Sequence, residues 1–182
     1  MPDKILFKTK WISVLETENG FQYLERKGTN SVAIILIRYN SENRGNWWKC
    51  LVRWQPLPLD NTSDQTLFPC PITGSIDEGE DPKDCAIREV EEETGIVIHD
   101  RKDIWEIGNY IVGTQTNETV FMFMAFLEDG LPEKVRGKGD GTFFENISEN
   151  EWRDFEELKD YKYSACQIMY YKIKEFWNRF PK

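Results

Sequence analysis

"GSIDEGEDPKDCAIREVEEETGI", Gly74 to Ile96, crowds Glu89, Glu91, Glu92 and Glu93 into five consecutive positions. Asp81 can cap a helix, Pro82 suits its first position, Asp84 sits where a capping-box acid would, and Gly95 is a natural C-cap. These signals predict a helix over roughly Pro82 to Thr94. Ala86, Ile87, Val90 and Thr94 fall on one side of it, which can pack on a sheet. Positions three and four apart meet on a helix, so Glu89, Glu92 and Glu93 share a different side while Glu91 points away. Glu80 lies just before the helix, within reach of Arg88 or of the acidic face.

Such crowding is unfavourable. Two carboxylates about 6 Å apart repel by roughly 3 kcal/mol at an effective dielectric near 20. On an exposed helix the loss is only about a few tenths of a kcal/mol per pair, and an acidic face can simply be solvated. The frame argues for more than solvation, because a glycine-led loop, a capped helix and a glycine stop hold three carboxylates beside an arginine. Oxygen ligands at this density, without His or Cys, suit Mg²⁺ or Mn²⁺ that keeps waters and shares substrate phosphate oxygens.

Outward from the helix the periodicity is mostly that of strands. "KWISVLETENGFQYLERK" is two β-rich runs joined by Glu18-Asn19-Gly20, a hairpin signal. "SVAIILIRY", Ser31 to Tyr39, is a continuous β-branched run of the kind found in buried strands. "WWKCLVRW", "DIWEIGNYIV" and "TVFMFMAFLE" read as further strands, and "QPLPLDNTSDQT" as a loop. "SENEWRDFEELKD" and "YSACQIMYYKIKEFWNRF" read as closing helices, the second strongly amphipathic. With 182 residues the economical reading is a single domain over 1–182, in which 1–28 is an N-terminal hairpin available as a dimerisation appendage.

Composition narrows the chemistry. A net charge of -9 argues against non-specific grip on nucleic acid, which needs clustered Lys and Arg. The four cysteines form no C-x-x-C pair, and with the single His99 they make no recognisable zinc set. "MPDKILFKTK" lacks the apolar core of a signal peptide, and no apolar run approaches a membrane span. The expectation is a reduced, cytoplasmic protein without a membrane partner.

The opening stretch resembles the Nudix box, G-x5-E-x7-R-E-U-x-E-E-x-G-U, where U is a bulky aliphatic residue. Gly74, Glu80, Arg88, Glu89, Val90, Glu92, Glu93, Gly95 and Ile96 fill every defined position. The resemblance implies an α/β fold, the family's α/β/α sandwich with a mixed central sheet, here carrying the N-terminal β-hairpin. It also implies a pyrophosphohydrolase acting on a nucleoside diphosphate linked to another moiety. Carried over by position, Glu89, Glu92 and Glu93 would be metal ligands, joined by the carbonyl of Thr73, with Mg²⁺ (or Mn²⁺) as cofactor. Arg88 would orient the carboxylates and Gly74 would allow the turn. A non-catalytic, nucleotide-sensing domain is the alternative, and it usually goes with a degenerate box rather than an intact one.

Beyond the box the likeness is looser. "LVRWQPLP" and "CPITGSIDEGE" resemble the ADP-ribose pyrophosphatase branch, so ADP-ribose or a related dinucleotide leads, and that branch implies a homodimer. Pro71-Ile72-Thr73-Gly74 replaces its Pro-Ala-Gly, and Tyr110-Ile111-Val112-Gly113 stands where that branch tends to carry a proline in the strand-loop after the box. Tyr110 falls near a tyrosine of the diadenosine polyphosphate branch, so dinucleoside polyphosphates come second and nucleoside triphosphates third. Trp11, Phe21 and Tyr23 could stack on an adenine or simply pack. Arg53 reads either as a surface strand cation or as a phosphate ligand. Cys85 reads as structural and His99 as a surface residue. A catalytic base is expected in the box as Glu89, or on a loop: Glu133, Asp140 and Glu145 in "LPEKVRGKGDGTFFE", whose glycines suggest freedom to close, or Glu118 in "GTQTNET".

Overall fold

The run Ser31–Tyr39 is buried along all but its last residue, so it needs neighbours on both edges and cover on both faces. The computed structural model describes residues 2–39, 48–57, 66–128, 131–138 and 146–179. Its strands are β1 (Lys4–Lys8), β2 (Ile12–Glu16), β3 (Gln22–Arg26), β4 (Ser31–Tyr39), β5 (Trp48–Pro56), β6 (Leu67–Cys70), β7 (Ile72–Ser75), β8 (Ile104–Ile111), β9 (Thr119–Leu127) and β10 (Glu149–Asp154). Helix α1 is Pro82–Thr94 and helix α2 is Ser164–Arg179, with 3-10 turns at Arg101–Asp103 and Phe155–Asp160.

β4 lies at the centre of the order β10-β5-β4-β9-β8. β7 pairs antiparallel with its first half, Ser31 opposite Ser75, and β5 with its second, Ile37 opposite Cys50. β9 runs parallel along the whole other edge, from Ser31 opposite Val120 to Arg38 opposite Leu127. Because side chains alternate along a strand, β4 serves two cores. Val32, Ile34 and Leu36 pack with Leu51, Ile72 and the Ala86 and Val90 of α1. Ala33, Ile35 and Ile37 pack with Val52, Met122 and the Met169 and Ile173 of α2. The result is the expected α/β/α sandwich around a mixed sheet.

One local expectation fails. "SENEWRDFEELKD" is not a helix: Glu149–Asp154 is strand β10, followed by the 3-10 turn. β5 offers an open edge, and six consecutive pairs from Glu149–Trp54 to Asp154–Lys49 take it up, an edge-pairing gain that outweighs local helix preference. The N-terminal hairpin forms as expected. β2 and β3 pair as read, but β1 adds a third strand through Lys4 opposite Glu16. All five β1 residues are exposed, so no burial pattern announces it. The segment is tied to the β8–β9 connection: the Leu24 amide donates to the Gln115 carbonyl at 2.9 Å, and the Asn117 side chain donates to Glu25 at 3.0 Å. The four cysteines are free and buried, and His99 is exposed. No helix among the described residues is long and apolar enough to cross a membrane.

Candidate active site

Helix α1 begins as its sequence indicates. Asp81 accepts from the Lys83 amide at 2.9 Å, and Gly95 closes the helix at φ 74°, a left-handed geometry that glycine adopts without a Cβ penalty. Asp84 does not complete a capping box; it accepts from Arg101 at 2.7 and 2.8 Å. The inner face buries Cys85, Ala86, Val90 and Thr94, and Glu91 faces solvent. Cys85 is fully buried and donates to the Ser75 carbonyl at 3.4 Å, which fits its structural reading.

Arg88 organises the acids. Its guanidinium donates to Glu80 at 3.0 and 3.1 Å, to Glu89 at 2.7 Å and to Glu92 at 3.0 Å. It also reaches the Ser75 carbonyl at 3.3 Å, tying the helix to the end of β7. These bonds hold Glu80 down to about 2 from its ordinary 4.5. Burial pushes the Glu89 carboxyl up, while the Arg88 charge pulls the other way. Gly74 explains how Glu89 fits: a Cβ there would lie 1.9 Å from Glu89 Cδ. The missing side chain is the space that the carboxylate occupies.

Glu93 is partnered by a second arginine, Arg53 of β5, which faces it at 3.4 Å. Arg53 is 5% exposed, so the surface reading of this residue is wrong. Its strand alternates Leu51 and Arg53 toward α1, which places the cation under the helix. The C-terminal end of α1 is further tied down by Asn150, which donates to the Glu93 carbonyl at 2.8 Å, and by the Gly137 amide at 3.1 Å. Both contacts satisfy the Glu93 carbonyl, one of those that a helix end leaves without partners. A Cβ on Gly137 would meet the Glu92 carbonyl oxygen at 1.9 Å, so this glycine serves close packing rather than loop freedom. Asn150 escaped the sequence reading because its segment was taken for a helix.

The remaining candidates separate. Tyr110, Thr73, Gly74 and Glu118 line one cavity of about 370 Å³, with Arg26, Ser31 and Tyr163. Glu118 is buried and accepts from Arg26 at 2.8 Å and from Ser31 at 2.6 Å. Burial raises the hydroxyls of Tyr110 and Tyr163, the latter to about 12, so both stay neutral. Glu133 lies elsewhere, paired with Arg38, whose guanidinium stacks on Trp152 at 4.3 Å. Trp11 is 61% exposed and outside the cavity lining, with Lys10 and Lys27 near its ring. Phe21 is exposed as well, and the Tyr23 hydroxyl donates to Asp3 at 2.7 Å. Asp140 and Glu145 lie outside the described residues.

The donor chemistry suits a hard divalent ion: carboxylates on one helix face beside a carbonyl-rich strand end left open by glycine. Among the described residues no three acids converge as a ready-made metal cluster. Arg88 draws Glu80, Glu89 and Glu92 to its own nitrogens and supplies the counter-charge.

Comparison with known proteins bears on the family and the fold. The family model described as NUDIX domain matches residues 29–171. No curated protein sequence matches significantly. Among solved structures, a MutT/nudix family protein from Enterococcus faecalis is similar at 20% identity and TM-score 0.51, covering 70% of this chain and 44% of that one, so the chain spans less than half of that protein. A C. elegans Ap4A hydrolase is similar at 18% identity and TM-score 0.57, covering 84% and 99%. MutT from Aliivibrio salmonicida and Vibrio cholerae is similar at 16% identity and TM-score 0.53, covering 79% and 94%. These likenesses bear on the fold; the family model spans most of the chain, which belongs to the Nudix hydrolase family.

Proposed function

We propose that the protein is a Mg²⁺-dependent pyrophosphohydrolase that cleaves a nucleoside diphosphate linked to another moiety, with ADP-ribose or a related dinucleotide as the leading substrate. The observation that carries this reading is the fit of the Glu89 carboxylate against the Cβ-less Gly74, beside Glu92 and the shared Arg88. Glu89, Glu92, Glu93 and the Thr73 carbonyl would hold the metal. A divalent ion supplies polarisation of phosphoryl oxygens and offsets charge that develops as the anhydride breaks. Arg88 keeps the carboxylates on one side. Gly74 leaves room beside them, and Arg53 beneath the helix balances the charge of Glu93.

Glu118 and Glu133 are each paired with an arginine, and Glu133 lies away from the cavity that holds Thr73 and Gly74. The catalytic base is one of the loop acids Glu118, Glu133, Asp140 and Glu145, or Glu89 inside the box if all four loop variants keep near-normal kcat. Tyr110 in the cavity lining favours a second substrate reading, a dinucleoside polyphosphate, the class to which the Ap4A of the worm hydrolase belongs.

The test is incubation of the purified protein with Mg²⁺ and a panel containing ADP-ribose, Ap4A and nucleoside triphosphates, with both products identified. Release of AMP and ribose 5-phosphate from ADP-ribose supports the first reading. Cleavage confined to Ap4A supports the second, and no cleavage of any member defeats both.

A further inference from the structure

Residues 131–138 form neither strand nor helix, yet side chains from elsewhere fix their path at close intervals. Arg38, at the end of β4, donates to the Leu131 carbonyl at 3.0 Å and pairs with Glu133. Its guanidinium stacks on Trp152, whose indole donates to the Pro132 carbonyl at 3.3 Å. Asn150 donates to the Val135 carbonyl at 3.3 Å, and the Val135 side chain is buried in the core that holds Val90 of α1. The Gly137 amide then donates to the Glu93 carbonyl. The segment is a strap from the end of β4 to the last turn of the box helix. There the two chains meet backbone to backbone: a Cβ on Gly95 would lie 3.0 Å from the Arg136 carbonyl oxygen, as one on Gly137 would clash with that of Glu92. The glycine that closes the helix therefore also admits the strap.

We infer that Arg38 is a positioning residue for the carboxylates of Glu92 and Glu93, acting through the strap on the last turn of α1. This inference rests on the metal-site reading above. Arg38 is 7% exposed, whereas the side chain of its partner Glu133 is 72% exposed. A buried cation paired with a solvated carboxylate is a poor source of net stability. What the guanidinium supplies is direction, because one planar fork fixes a carbonyl, a carboxylate and a ring face together. The last turn of a helix has carbonyls without partners and opens more readily than its middle. In α1 that turn carries Glu92 and Glu93. By giving the Glu93 carbonyl a partner and lying against that of Glu92, the strap fixes the backbone from which both side chains extend. An ion then binds without first ordering the turn. Outer partners of this kind bear on metal affinity by about 10–100-fold.

Titration of the full chain with Mn²⁺ alone, the free ion counted by its EPR signal, reads the carboxylates without turnover. Any part that Glu133 plays in proton transfer does not enter it. Arg38→Met keeps an aliphatic stem over Trp152 but removes the fork and the charge; it should weaken Mn²⁺ binding by about tenfold or more. Arg38→Lys should recover part of that loss. Trp152→Phe, which keeps a ring but removes the donor to Pro132, should weaken the ion by a smaller, measurable factor. In hydrogen exchange the Gly137 amide should exchange faster in Arg38→Met than in the wild type. A lower Tm with unchanged Mn²⁺ affinity, measured where the variant is folded, would make Arg38 merely structural and overturn the inference. So would an unchanged Gly137 amide. Where Arg38→Met does not fold, Trp152→Phe decides, and unchanged affinity there overturns the inference. A wild type that binds no Mn²⁺ removes the metal site and the inference together. A wild type whose Mn²⁺ binding depends on Arg38, yet which hydrolyses nothing in the substrate panel, supports the inference and defeats the hydrolase reading alone.

Discussion

At the scale of single residues, the three box glutamates are not equivalent. The Glu92 side chain is 57% exposed, whereas that of Glu93 is 11% exposed and paired with buried Arg53. Glu92→Gln and Glu93→Gln should each lower kcat by about 100-fold or more, roughly 3 kcal/mol of transition-state stabilisation. Their stabilities should diverge. Glu92→Gln should stay within about 0.5 kcal/mol of wild type, as exposed ion pairs do. Glu93→Gln should lose about 2 kcal/mol, because it leaves an arginine charge buried without its carboxylate. Glu91→Gln, on the solvent side, serves as the control; equal kcat in all three variants would refute the helical phase. Glu80 gives a pH signature. Its folded value near 2 lies below its ordinary 4.5, so the unfolded state binds the proton more readily. Its contribution is therefore full above about 4.5 and is lost as pH falls through about 2. In urea titrations with chelator present, Glu80→Gln should be less stable than wild type at neutral pH. The gap should narrow below about pH 4.5 and close near 2; a gap independent of pH would contradict the Arg88 assignment.

At the scale of elements, α1 was legible because its caps, stripe and stop are local and agree with one another. β10 was not, since "SENEWRDFEELKD" is rich in helix formers, and what decides its state is an open edge on β5 far away in sequence. β6 and β7, four residues each, are too short to show an alternation. The site divides along the same line. Residues of the box could be assigned from spacing, whereas Arg26 and Asn150 reach the site through strand pairings that no local pattern records. Gly137 was read for mobility, and its value lies in how closely it approaches α1. Gly137→Ala should therefore cost about 1–3 kcal/mol, a drop in Tm of about 3–10 °C, and should lower kcat by displacing Glu92. Gly113→Ala is the comparison, because its Cβ would meet nothing nearer than Thr116 Cγ2 at 3.6 Å. Equal Tm values for the two variants would show that Gly137 can give way.

At the scale of the whole molecule, acidic repulsion and catalysis share one lever. Activity should require Mg²⁺ or Mn²⁺ and vanish with chelator. The same ion should raise Tm by binding the folded chain, about 2.7 kcal/mol at a hundred times its Kd. The rise should shrink in Glu92→Gln. Activity surviving exhaustive chelation, or a Tm indifferent to Mg²⁺, would remove Glu89, Glu92 and Glu93 as ligands. An acidic chain that binds an anionic substrate depends on such cations, its own or borrowed.

The parallel pairing of β4 with β9 also bears on how the chain is made. Ser31 and Val120 are partners 89 positions apart (120 minus 31). At a synthesis rate of about 5–20 residues per second, β4 leaves the ribosome roughly 4–18 s before the strand that covers its second edge. For that interval one of the most apolar stretches of the protein has an uncovered hydrogen-bonding edge, the kind of surface on which nascent chains aggregate. Completion of the sheet must wait for a long loop to close, which makes folding slow for a domain of this size. The strand that anchors the finished enzyme is, during translation, the one most in need of a chaperone.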